Sequence, residues 1–132
     1  MPALSTQTEA EVTISISRDP ALVRTVRLVA AAVARRVDLE EALIEEIRFA
    51  VGEACAVMIG AADRRSSSDG HVDVRIATDD ELAVTITGKV DGGDDHVDHM
   101  GIDPWALLRG LSDNVTVDEN GGRTTVRMSW PT

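Results

Sequence analysis

Aromatic side chains are nearly absent from this 132-residue chain, which has one phenylalanine, two tryptophans and no tyrosine. Few large rings are available to fill an interior, so a core must be built by close packing of Val, Leu, Ile and Ala. Cysteine is as scarce. Cys55 alone excludes an intramolecular disulfide framework and suits a reducing compartment. Lysine occurs once, at Lys89, and every other base is arginine, which reads as a genomic bias and not as a site. Long apolar runs are missing too. The stretch from Leu28 to Ala34 is bounded by Arg27 and Arg35 and is far too short to span a bilayer. No charged segment leading into an apolar one opens the chain, so no export signal is read and the cytoplasm is the expected location. Clustered bases are lacking as well. The formal net charge is −10, with most of the acid excess in residues 79–132. That field opposes nucleic acid and anionic membrane, which require grouped Lys and Arg, and favours a basic protein partner.

What is present is an ordinary globular mixture, 43% hydrophobic and 27% charged. Residues 1–9 read as a flexible tail and residues 10–132 as a single domain, long enough for one core without staples. Val12, Ile14 and Ile16 alternate with Thr13, Ser15 and Ser17, the pattern of a half-buried strand. Asp19-Pro20 reads as an N-cap with proline in the first turn, opening a helix to about Val37. Asp38-Leu39-Glu40-Glu41 resembles a capping box and is expected to open a second helix that ends near Gly60.

Gly60 to Gly70 has loop composition, then Val72-Val74-Ile76 and Leu82-Val84-Ile86 alternate about an Asp79-Asp80 turn as a hairpin. Gly88 to Gly101 reads as a long acidic loop, and Asp103-Pro104 as the cap of a short third helix over Trp105–Leu111. Val115–Val117, a turn over Glu119 to Gly122, and Thr124–Trp130 make a second hairpin. The order β-α-α-β-β-loop-α-β-β predicts an α/β fold: a two-layer sandwich of a mostly antiparallel sheet covered on one face by helices.

For chemistry, the residue that stands out is Glu53. It lies in the apolar second half of the second helix, where its neighbours at three and four residues are Phe49, Ala50, Ala56 and Val57. Such a carboxylate either faces a pocket or ends a solvated stripe that also holds Glu46. Asp94-Asp95-His96-Val97-Asp98-His99 has side chains able to ligate a divalent metal, although its spacing matches no closed zinc site and a solvated acidic loop is the simpler reading. His71 reads as a surface residue, Cys55 as inert core, and Ser66-Ser67-Ser68 beside Arg64-Arg65 as loop. No Ser-His-Asp grouping, P-loop or dinucleotide fingerprint is present.

The run Ile47-Arg48-Phe49-Ala50-Val51-Gly52-Glu53-Ala54-Cys55-Ala56, together with Trp105-Ala106-Leu107-Leu108-Arg109-Gly110-Leu111-Ser112-Asp113-Asn114-Val115, resembles the anti-sigma factor branch of the GHKL ATPase/kinase superfamily. That branch comprises the serine-protein kinases and anti-sigma regulators of bacterial partner-switching systems. The order of elements fits from about Val12 to Trp130. The resemblance implies a histidine-kinase-like ATPase fold, a sigma factor and an anti-anti-sigma factor as partners, and pairing as a homodimer.

In kinase members the helix glutamate is the general base toward a partner serine, which here implies Glu53. An asparagine four residues on holds Mg²⁺, an Asp-x-Gly-x-Gly loop seats adenine, and a further glycine motif cradles phosphates. The resemblance makes Asp91, Gly92 and Gly101 the candidate cofactor-binding residues. This sequence departs from the pattern at several points. Val57 stands where the asparagine belongs and has no oxygen for a cation. Gly88 replaces the aspartate after the strand, so that Gly88-Lys89-Val90-Asp91-Gly92 keeps only the final glycine. Pro104, with no N–H, precedes Trp105, and Asp91, Asp94, Asp95, Asp98 and Asp103 oppose a triphosphate with only Lys89 to offset them. The expected function is an anti-sigma regulatory factor with no cofactor or weak Mg-ATP. The alternatives are an active serine-protein kinase, or an unrelated small-ligand or metal-binding domain.

Overall fold

A computed structural model of the chain describes residues 10–60, 70–89 and 114–132. The elements are β1 (Ala10–Ser17), a 3-10 turn (Pro20–Leu22), α1 (Val23–Arg36), α2 (Glu41–Gly60), β2 (His71–Thr78), β3 (Glu81–Lys89), β4 (Asn114–Asn120) and β5 (Arg123–Pro131). The five strands form one sheet in the order β1-β2-β3-β5-β4, every neighbouring pair antiparallel. Both helices lie on one face of it, α2 against β2 and β3 and α1 against β2 and α2. This is the expected two-layer α/β sandwich.

Alternation sets the register. In the centre of the sheet Leu82 faces Trp130, Val84 faces Met128 and Ile86 faces Val126, and all six side chains are buried. The row continues outward through Val74 to Ile14 on one side and through Val115 and Val117 on the other. Because side chains alternate across a strand, the opposite face receives the polar set. There Arg75 grips Glu11 through Nε and Nη2 at 2.8 and 3.0 Å, Arg127 pairs with Glu81 at 2.5 Å, and Arg123 lies 3.7 Å from Asp73. A slip of one residue in any strand would exchange the two sets, so the pattern fixes the register strongly.

The junction between the helices differs from the sequence reading. Asp38 does not cap the second helix. It terminates the first, with a left-handed φ of 59°. Its N–H donates to Arg35 O at 3.1 Å and the Leu39 N–H to Ala34 O at 3.2 Å, the two bonds of a Schellman motif. An aspartate one residue beyond a helix end satisfies the sequence pattern of a capping box and of a left-handed C-terminal cap alike, and the backbone takes the second. The next helix starts at Glu41. The Asp19 cap does form, Oδ1 accepting from Ala21 N–H at 2.9 Å, but the turn it opens is 3-10 before α1 begins.

The second hairpin is also tighter than expected. Glu119 and Asn120 belong to β4, and only Gly121 and Gly122 turn, with φ of 62° and 82°. Two consecutive positive φ values make a type I′ turn, whose twist matches the strands and which glycine adopts without a Cβ penalty. Gly88 and Lys89, expected to open the acidic loop, instead close β3. The expected third helix at Trp105–Leu111, residues 61–69, the rest of the acidic loop and residues 1–9 lie outside the described residues.

Candidate functional site

Helix α2 is the element on which the site readings depend. Its inner side, Ile44, Ile47, Ala50, Val51, Ala54, Cys55 and Met58, is wholly buried. The outer side carries Glu45, Glu46, Phe49, Glu53 and Ala56, all exposed. Glu53 therefore belongs to the solvated stripe and, among the described residues, faces no apolar pocket. Phe49, one turn earlier, is 52% exposed. Among the described residues Glu53 has no hydrogen-bond or ion-pair partner. Arg48, the nearest base in sequence, is engaged by Glu45 at 2.8 Å.

Glu46 behaves differently although it shares the stripe. Its Oε2 accepts from the buried Trp130 Nε1–H at 3.0 Å, tying the helix to β5. Sequence reasoning missed this pair, which joins residues 84 positions apart.

Of the positions at which the sequence departs from the kinase pattern, Val57 and Gly88 are among the described residues. Val57, one turn beyond Glu53, is half-buried and packs against the core, so no oxygen ligand stands in its place. Gly88 is buried at the end of β3. A Cβ built there would lie 2.9 Å from both Cγ and Sδ of Met58 and 3.4 Å from Arg18 Nη2. The recess in which an aspartate side chain would stand is already filled. At these two positions the described residues lack the oxygen donors of the kinase pattern. Asp91, Gly92 and Gly101, the Asp94–His99 loop, Ser66 to Ser68 and Pro104 lie outside the described residues.

The remaining candidates are placed as follows. His71 is exposed at the start of β2. Cys55 is fully buried, and burial pushes its thiol up to about 12, so the thiolate that reactivity requires does not form near neutral pH. Among the described residues, no three His, Cys, Asp or Glu side chains gather to hold a metal ion, and no helix is long and apolar enough to cross a membrane.

Five antiparallel strands with two helices on one face make a two-layer α/β sandwich. Residues 16–130 match the histidine kinase-like ATPase domain family, and the chain belongs to that family. Among solved structures it is similar to the RsbU and RsbW domains of Rv1364c from Mycobacterium tuberculosis, with 17% identity and a TM-score of 0.70. That similarity covers 92% of this chain but 32% of the other, so this chain spans about a third of its length. No curated protein matches.

Proposed function

We propose that this chain is an anti-sigma regulatory factor of a bacterial partner-switching system. It binds a sigma factor, an anti-anti-sigma antagonist, or both, and its ATP binding is lost or weakened. The observation that supports the weakened nucleotide site is the α2–β3 recess. Val57 offers no oxygen one turn after Glu53, and Met58 with Arg18 fills the space beside Gly88. The family match and the sequence resemblance support the regulatory class, and the acidic balance suits basic protein surfaces. The test is affinity capture of the full chain with purified sigma factors and antagonists of its own cell, with and without Mg-ATP. Saturable binding that is indifferent to nucleotide supports the proposal. Binding to none of them contradicts it.

A second reading keeps catalysis. The exposed Glu53 carboxylate, with no partner among the described residues, is accessible to a serine hydroxyl and could accept its proton. Under that reading Glu53→Ala binds nucleotide as the wild type does and loses phosphoryl transfer to an antagonist serine. Unchanged transfer removes Glu53 from the mechanism.

A further inference from the structure

Four chain segments meet beside one guanidinium. Arg18 follows β1 directly, and its half-buried side chain lies where α2 and β3 both end and where Gly70 leads into β2. Nη1 donates to Met58 O at 2.5 Å, and Nη2 donates to Lys89 O. Met58 belongs to the last turn of α2, where carbonyls lack intrahelical partners and the helix dipole is negative. Lys89 is the last residue of β3. One planar fork reaches two carbonyls on two elements, a geometry that the compact ammonium of lysine does not reproduce.

The backbone around the fork is shaped to admit it. A Cβ on Gly70 would lie 2.6 Å from Arg18 Cδ. At Gly88 a Cβ would press on Met58 and approach Arg18 Nη2. Both glycines are buried, and the positive-φ glycines among the described residues are Gly121 and Gly122. Conformational freedom therefore does not explain Gly70 and Gly88. Room for the Arg18 and Met58 side chains does.

We propose that Arg18 is a positioning residue that fixes the gap between the C-terminal ends of α2 and β3. This rim, formed by the last turn of α2 and the end of β3, is held at its spacing in the free protein. This goes beyond the partner-switching reading and is independent of it.

Amide exchange on the full chain tests the assignment. In Arg18→Ala, Arg18→Lys and Gly70→Ala, exchange at Met58 to Gly60 and at Gly88 and Lys89 is expected to quicken about tenfold, as loss of charge-assisted bonds predicts. Ile76 and Val84, in mid-strand, are expected to keep wild-type rates. Millimolar guanidinium ion should return part of the rim protection to Arg18→Ala, and ammonium should not. Wild-type rim rates in Arg18→Ala, or a lysine that substitutes fully, overturn the proposal. If the variants fail to fold, side-chain NMR of the wild type decides. Slowly rotating, hydrogen-bonded Arg18 Nη–H signals support it, and a freely rotating guanidinium overturns it.

Discussion

Glu46 and Glu53 stand seven residues apart on α2, two turns along the same exposed stripe, and they do opposite things. The first reaches the sheet and satisfies the only polar atom of a buried tryptophan ring. The second reaches solvent and touches no polar group among the described residues. A glutamate's position on a helix thus says little about its work. What lies within reach decides, and for Glu46 that partner comes from the far end of the chain.

The contrast can be broken or sharpened by substitution, beginning with the inner side of the helix. Ile47→Ala empties a fully buried position and is expected to cost about 2–5 kcal/mol in chemical denaturation, whereas exposed Phe49→Ala should cost less than about 1 kcal/mol. Near-equal losses would mean that the two sides are not distinct. Glu46→Ala strands the Trp130 N–H and is expected to cost about 1–3 kcal/mol, while Glu53→Ala stays within about 0.5 kcal/mol of wild type. A Glu53 loss as large as that of Glu46 would reveal a partner for it.

At the helix junction, Asp38→Gly should stabilise by about 0.5–1 kcal/mol, because glycine holds the left-handed φ without the steric cost of a Cβ. Destabilisation there would restore the aspartate to a capping role. The smallest effect is on the open face of the sheet. The Arg75 guanidinium holds the Glu11 carboxyl below its ordinary 4.5, and hydrogen bonding to Arg127 does the same for Glu81. A carboxyl lowered in the folded state contributes stability above its unfolded value. That contribution is lost as the pH falls from about 4.5 through the lowered values. Arg75→Gln and Arg127→Gln should flatten this acid limb slightly, as exposed ion pairs contribute little.

Much of the fold was legible in the chain because period-two alternation in Val12–Ile16, Val72–Ile76 and Leu82–Ile86 is a direct record of which face each residue takes. The antiparallel sheet and the Asp79-Asp80 hairpin follow from it, while the two helices were read from the Asp19-Pro20 and Asp38–Glu41 signals. Local signals were ambiguous where two motifs share residues. Asp38 satisfies both a cap pattern and a left-handed helix end, and only the bonds to Arg35 and Ala34 distinguish them.

The site was less legible, for a physical reason. Glu53 was identified by its neighbours in sequence, yet whether it faces pocket or solvent depends on how α2 rotates onto the sheet. Arg18 carried no signal at all. Its acceptors lie 40 and 71 residues away, and nothing in the local pattern after β1 says which carbonyls a long side chain will reach.

The most direct test of the central claim is calorimetric titration of the full chain with Mg-ATP. With Val57 lacking an oxygen and the Gly88 recess filled, the account predicts no saturable binding in the micromolar range. Single-site micromolar binding would contradict it.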